Sequence, residues 1–448
     1  MFLQTKYLMS KKDEVDGDSD DDVPELEVPE KAEPEVEVVT DLSNPEVITK
    51  YQEAAKIAQA ALQQVILKCV PGSKIVDICR FGDEYIEEKT AAIYKNKNKA
   101  GKVILKGVAF PVCISVNEIV CHCSPLESDD TLAPLAANDM VKIDLGVHID
   151  GFIAVVAHTV LVPATDAADS SLSAAEQQVR QKVIQAAWVA AEVAVKLVKA
   201  GGTNSAVTAA MKQVAEAFDV RAVNGTLMHQ MKQYVVDGNK MVLLREEADQ
   251  RVEPCVFEPL EVYALDVAMS SGEGRPRESG LRTTVHKRAV ERKYSLKNKC
   301  SRVFFNEINK RFPTLPFSLR SFADEKAAKM GVREPVTHQI LMPYPVLCEK
   351  KGDFIAHVKL TVLLLPGGTL VVTGLPPPTR PLSAEVLAAG PVSPLTALTG
   401  TSLAEESGVT LPDNILELLR QAGRGENKKK AKKAAKKEAS KEAAPAAV

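Results

Sequence analysis

The chain has 448 residues, 45% hydrophobic and 26% charged, with a formal net charge of −3. One large or two ordinary globular domains fit those values, and a fibrous, collagen-like or wholly disordered chain does not. Eight cysteines at positions 69, 79, 113, 121, 123, 255, 300 and 348 are too sparse for a secreted disulfide framework, so reduced intracellular thiols are expected. No apolar run approaches the roughly 18–20 residues that cross a bilayer, and no signal-peptide core precedes the first acids, so neither secretion nor membrane insertion is expected.

The small net charge conceals opposed blocks. From Asp13 to Glu37 thirteen Asp/Glu face one lysine, Lys31, a composition expected to stay solvated and disordered. Patterned sequence starts at Asn44-Pro45, where Asn suits a helix cap and Pro the first helical position, and the helical spacing runs to Pro71-Gly72. A second helix is expected from Lys74 to Lys95, closing in a lysine-rich stretch. GVAFPVCISVNEIVCHCSP then reads as strands, and VKIDLGVHIDGFIAVVAHTVLV as a hairpin turning between Val147 and Gly151. Ser173 and Glu176 form a capping box that opens a long helix to Lys199, and another helix runs from Asn204 to Phe218. Strands return over Val256–Ser270 and Phe354–Leu365, with helical stretches at Ser301–Phe312 and Ser321–Met330 between them. Helices beside antiparallel strands predict an α+β domain. Beyond it lie a proline-rich segment, a short helix at Asp413–Arg420 and a lysine tail containing Lys428, Lys429, Lys430, Lys432 and Lys433. That tail suits a solubilising end, a nuclear-import address or contact with nucleic acid.

Ionisable residues embedded in apolar strands cost free energy unless they are paired or liganded, which singles out His122, Asp144, His229 and Asp266. Alone, each suits a hydrogen-bonded core position. Together they stand in NEIVCHCSP, KIDLGVHIDGFIAVVAHT, MHQMKQY and YALDVAMSSGEG, followed by PYPVLCEKKGDFIAHVKLTVLLLP. Through these motifs, from about Asn44 to Pro366, the chain resembles the methionine aminopeptidase family. The resemblance implies a pita-bread fold with the helical insertion of the type 2 members. Together with the composition of the chain's ends it gives a domain plan: an acidic extension over 1–42, a pita-bread domain over 43–372 with the insertion at about 294–345, a Pro/Ala-rich extension with a short helix over 373–426 and a basic tail over 427–448, the acidic and Pro/Ala-rich extensions being read from composition and not from the resemblance.

Active members of that family hold two divalent metals with two Asp, one His and two Glu. Carried over by position, Asp144 is the first Asp, His229 the metal-binding His and His122 the substrate-side His, while Asp266 stands for the first Glu. The second Asp is Val155 and the last Glu is Lys359. The two lost groups are the bridging carboxylates, and cations roughly 3.5–4 Å apart need anionic oxygen between them. Valine has no ligand atom and lysine brings a positive charge, so no methionine aminopeptidase activity, no metal and no other cofactor are expected. The Lys359 ammonium is expected to point inward and pair with Asp144, Asp266 or both; the alternative is that it snorkels to solvent. The losses, the SSGEG turn, GLRTT, RVFFNEINKRF and the lysine-rich end resemble the non-catalytic, proliferation-associated branch of the ErbB-receptor-binding type.

Between Arg275 and Arg302 ten Lys/Arg face two Glu. Arg275, Arg277, Arg282, Lys287, Arg288, Arg292, Lys293, Lys297, Lys299 and Arg302 thus predict an electropositive face suited to phosphates. Lys95, Lys97, Lys99, Lys102 and Lys106 form a second candidate patch. Either could equally be a solvated surface. Aromatic interleaving is thin, with Tyr294 inside the first patch, so shape and phosphate recognition of structured RNA is expected over base stacking. Cys121-His122-Cys123 has no second Cys/His pair at finger spacing, and in a strand the two thiols would face away from His122, so zinc is not expected. The expected function is a non-catalytic scaffold on structured RNA and the large ribosomal subunit, monomeric, cytoplasmic and nuclear or nucleolar. A protein–protein adaptor using the old substrate groove and a weakly active metal-dependent aminopeptidase are the alternatives.

Overall fold

In the computed structural model of the protein, Asn44 and Pro45 start the first helix as expected. The Asn44 side chain accepts from the Glu46 N–H at 2.9 Å, and helix α1 runs Pro45–Lys68. The structure describes residues 40–97, 101–164, 172–248, 250–375, 403–405 and 408–421. The acidic segment Asp13–Glu37, Lys99, most of the proline-rich extension and the lysines from Lys428 onward lie outside the described residues. Helix α2 (Ile75–Ala91) stops short of Lys95, because Tyr94 takes a left-handed φ of +45°.

Strands β1 (Lys106–Val116), β2 (Ile119–Cys121), β3 (Met140–Ile149) and β4 (Phe152–Leu161) follow. The β3–β4 hairpin turns on Asp150-Gly151. Gly151 has φ +76°, and a Cβ there would stand 2.4 Å from the Tyr234 ring, so only glycine fits both the turn and the close approach. The capping box opens helix α3 (Ala174–Leu197), with Glu176 N donating to Ser173 Oγ at 3.3 Å and Ser173 N to Glu176 Oε2 at 3.0 Å. Helix α4 (Asn204–Ala217) follows, then β5 (Arg221–Ala222), β6 (Leu227–Met231), β7 (Met241–Leu243) and β8 (Val262–Ser270). The strand expected from Val256 begins only at Val262. Leu260 at φ +71° turns the chain and donates its N–H to Leu364 O at 2.7 Å, while Val256 makes only an isolated bridge to Thr203.

Next come β9 (Arg277–Glu278), β10 (Val285–Arg288), helix α5 (Lys299–Arg311), β11 (Phe317–Ser318), a 3₁₀ turn (Leu319–Ser321), α6 (Glu325–Gly331), α7 (Arg333–Thr337), β12 (Leu341–Tyr344) and β13 (Leu347–Cys348). The expected helix over Ser321–Met330 is shortened. Phe322 is extended and buried beside Phe304 and Phe317, and Asp324 caps the helix by accepting from Ala327 N at 2.9 Å. Around the stretch expected as the insertion, Phe304, Ile308, Phe317, Leu319, Phe322 and Leu341 form a small core that Leu126 joins from outside it. Arg320 bolts it to the larger domain: the guanidinium meets Asp83 of α2 at 2.5 Å and donates to Ser124 Oγ and Pro125 O at 3.0 Å.

Strands β14 (Ile355–Leu365) and β15 (Gly368–Val371) complete a nine-stranded sheet, ordered β1-β3-β4-β14-β8-β6-β7, with β15 also paired to β14 and β5 to β8. Helices α1 and α2 cover β1, β3 and β4, and α3 covers β8 and β14, so the helices bury one face of the sheet. Helix α8 (Asp413–Arg420) falls where expected and packs on α3 and α4 through Ile415 and Leu419.

The sheet is splayed at its centre, where β4 and β14 pair only at Ala157 and Lys359. Threonine hydroxyls replace the missing ladder bonds. Thr361 Oγ1 donates to Val155 O at 2.8 Å and accepts from Val155 N at 2.9 Å. Thr159 Oγ1 does the same for His357 O and N, at 2.9 and 2.7 Å. The buried backbone thus stays satisfied where the strands part.

A cleft closed by an internal ion triad

Antiparallel register carries one row of side chains across the open face of the sheet. Cys113 on β1 stands opposite Asp144 on β3, Asp144 opposite Ala157 on β4, Ala157 opposite Lys359 on β14, and Lys359 opposite Asp266 on β8. Directly opposed residues share a face. Asp144 and Lys359 are therefore two strand spacings apart, roughly 9–10 Å, with only the Ala157 methyl between them. Lys359 reaches over that methyl. Its Nζ lies 2.7 Å from Asp144 Oδ2, 3.0 Å from Asp266 Oδ2 and 5.4 Å from the Phe110 ring centre. The inward pairing expected from sequence is what the structure shows, with both carboxylates at once.

His357, two residues before Lys359 on the same strand face, places Nε2 2.5 Å from Asp266 Oδ1. The sequence motifs do not single it out, although the alternation in IAHVKL puts both side chains on one face. Burial disfavours the charge on Asp266, but the Lys359 ammonium and then His357 outweigh it and hold the carboxyl well below the usual range. Burial likewise works against the Lys359 charge, and Asp144 and Asp266 reverse that effect, holding the ammonium above the ordinary lysine range. Asp144 Oδ1 has no partner among the described residues.

His122, Asp144, Val155, His229, Asp266 and Lys359 all line this one cleft. His122 is not on a strand: β2 ends at Cys121, and His122 takes φ +65°, which overturns the reading of Cys121 and Cys123 as one strand face opposite it. Its Nδ1 sits 3.0 Å from Pro345 O, its ring stands edge-on to Tyr344 at 5.3 Å, and burial lowers its pKa to about 4. Burial also lowers the pKa of His229 on β6. Asp237 on the cleft wall is ion-paired with Lys287, whose side chain is only 15% exposed. Lys287 is thus no free surface cation, which corrects its expected phosphate role.

The resemblance implies a pair of divalent cations in this cleft, and the donor set does not fit them. Val155 offers no ligand atom, and an ammonium already bonds the two carboxylates that would face the ions. Among the described residues no group of three or more His, Cys, Asp or Glu is placed to hold a metal ion. Burial also pushes the Cys121 thiol up to about 12, unlike a metal-binding thiolate.

The basic run divides into engaged and open groups. Arg275 pairs with Glu247 at 3.0 Å and Arg282 with Asp129 at 2.9 Å, Arg302 donates to the Leu296 carbonyl at 3.1 Å, and Arg288 lies 5.7 Å from the Phe305 ring centre. Arg277, Arg292, Lys293, Lys297 and Lys299 are exposed, with Arg292 bonded to Gln339. In the second patch Lys106 donates to Tyr94 O at 2.8 Å. Among the described residues no helix is long and apolar enough to cross a membrane.

Residues 49–265 match Metallopeptidase family M24. ERBB-3 binding protein 1 of Solanum tuberosum is 49% identical over 74% of this chain and 82% of its own length. A protein of Schizosaccharomyces pombe named curved DNA-binding protein is 36% identical over 78% of this chain and 88% of its own. A solved structure of a thermophilic Arx1 superposes with a TM-score of 0.71 at 25% identity, covering 84% of this chain and 98% of that one. The α+β pita-bread architecture is therefore shared.

Proposed function

Because the chain belongs to metallopeptidase family M24, and there to the branch of ERBB-3 binding protein 1, we propose that it is a non-catalytic, aminopeptidase-like scaffold for structured RNA and ribosomes. One observation carries the loss of catalysis: the Lys359 ammonium bonds Asp144 and Asp266 at 2.7 and 3.0 Å. Activating water between two cations needs bridging anions there, and this chain puts a cation and a valine in their place.

The partner reading draws on charge. Arg292, Lys293, Lys297 and Lys299 are exposed at the insertion, Arg277 is exposed on β9, and the lysines from Lys428 onward add to the positive charge of the sequence. The relative named curved DNA-binding protein supports a nucleic-acid partner. In this reading the pita-bread domain spans 43–372 with its insertion at about 294–345. The protein is monomeric, needs no cofactor, docks on the large ribosomal subunit, and works in growth or ribosome assembly in cytoplasm and nucleus.

Two measurements test it. Calorimetric titration of the full chain with manganese or cobalt is expected to show no two-ion binding, and a methionyl peptide is expected to stay uncut. Ribosome pelleting across a salt series is expected to fall steeply, and charge reversal at Arg277, Lys297 and Lys299 to weaken it further. Saturable binding of two ions with peptide cleavage would end the scaffold reading, and salt-insensitive pelleting would end the phosphate reading.

A further inference from the structure

One aromatic pair on the surface serves no core. Tyr294 and His338 lie flat on each other, ring centres 3.6 Å apart and planes inclined by 11°. Most other ring contacts of the insertion, such as Phe304 with Phe317 and Phe322, build its apolar core, and neither Tyr294 nor His338 belongs to that cluster. His338 is exposed and Tyr294 half-buried. Two separate pieces of chain bring them together: the basic loop before α5 carries Tyr294, and the end of α7 carries His338.

Both pieces are fixed. The Glu334 carboxylate on α7 accepts from Lys297 N at 2.6 Å and Asn298 N at 3.1 Å, tying the loop to the helix that presents His338. Arg292 bonds Gln339, the neighbour of His338, and closes the loop from its other side. A preformed stack loses little freedom when a third flat ring is added. Exposed cations neighbour it in the chain: Lys293 is adjacent to Tyr294, Lys297 and Lys299 follow, and Arg333 opens the helix that ends at His338; of the acids close in sequence, Glu334 is spent on backbone N–H groups and Glu291 is exposed beside Arg292.

We propose that the Tyr294–His338 pair is a stacking platform for an unpaired nucleobase of structured RNA, with the neighbouring cations holding the flanking phosphates. The proposal rests on the RNA reading above and sharpens it: it assigns recognition of a loop or flipped base to this site, where the sequence alone favoured phosphate and shape. An unstacked base offers a π-face of matching size, whereas a duplex keeps its bases stacked internally. An acidic peptide would meet the same cations but gain nothing from the flat rings.

The test uses the full chain and two RNAs of equal length, a stem-loop with 2-aminopurine in its loop and a fully paired duplex. The wild-type chain is expected to bind the stem-loop more tightly and to quench the 2-aminopurine. Tyr294→Leu and His338→Leu are each expected to weaken stem-loop binding about tenfold and abolish quenching, with duplex affinity and salt dependence unchanged. Tyr294→Phe keeps the stack and is expected to keep both signals, which separates stacking from misfolding. Equal stem-loop affinity in Tyr294→Leu and the wild type would overturn the platform while leaving phosphate binding intact. Failure of the wild type to bind either RNA, or competition by polyglutamate as strong as by the stem-loop, would overturn the RNA reading together with the platform.

Discussion

The cleft and the insertion face treat charge in opposite ways. In the cleft each strongly held charge has its counter-charge a few ångströms away: Lys359 with Asp144 and Asp266, Lys287 with Asp237. On the insertion face Lys293, Lys297 and Lys299 stand in solvent. The fold consumes the first set and leaves the second exposed. Charge that is already paired inside contributes to stability when intact and to recognition hardly at all.

The largest effect is expected at Lys359. Lys359→Met leaves two buried carboxylates without their cation and is expected to cost about 3–5 kcal/mol in urea unfolding. The triple change with Asp144→Asn and Asp266→Asn should recover most of it. A loss under about 1 kcal/mol in the single variant would mean that the triad does not hold the cleft.

Next comes the methyl beneath the lysine. Ala157→Leu is expected to cost about 1–3 kcal/mol by overfilling the row across the sheet. In the Lys359→Met background the cost should shrink, because the two changes disturb one contact. Additive costs in that double-mutant cycle would separate Ala157 from the triad.

Acid comes third. Burial lowers His122, His148, His158 and His286 from 6.5 to about 4. Their folded values lie below the unfolded one, so the unfolded chain binds protons first as pH falls. Stability present above about pH 6.5 should therefore drain as pH falls through about 4. Asp266, held below its usual range, adds a further loss at still lower pH, and Lys359, held above its own, loses its contribution only in strong alkali. His158 has no hydrogen-bond partner on either ring nitrogen among the described residues and lies edge-on to Trp188. His158→Leu is expected to raise the melting temperature and flatten its acid slope; an unchanged slope would exclude His158 from the acid response.

The smallest stability effect belongs to the open face. Lys297→Glu with Lys299→Glu is expected to leave stability within about 0.5 kcal/mol while lowering the salt dependence of RNA binding. A stability loss comparable to that of Lys359→Met would erase the distinction between the two regions.

Much of this was legible in local chemistry. Asn44-Pro45, the Ser173/Glu176 box and the Asp150-Gly151 turn each solve a backbone problem within four residues, so their outcome is written nearby. The lysine at 359 was legible for a different reason: a charge in an apolar strand demands a partner. What escaped depends on register between distant strands. Nothing local in His357 says that Asp266 stands opposite its neighbour, and nothing in Lys287 says that Asp237 will take its charge. The Tyr294–His338 stack joins residues forty-four positions apart in sequence through a loop whose path Glu334 fixes. The shortened helix at Glu325 reflects a tertiary demand, Phe322 drawn into the insertion core.

The small side chain at position 157 also constrains how such a cleft can arise. A lysine at 359 finds its distant carboxylate only if the residue between them is no larger than alanine, so a bulky residue there would leave the newcomer stranded. The permissive step must therefore come before the charge change, or along with it. Ancestral reconstructions of this lineage should then never contain the lysine together with a large residue at the intervening site.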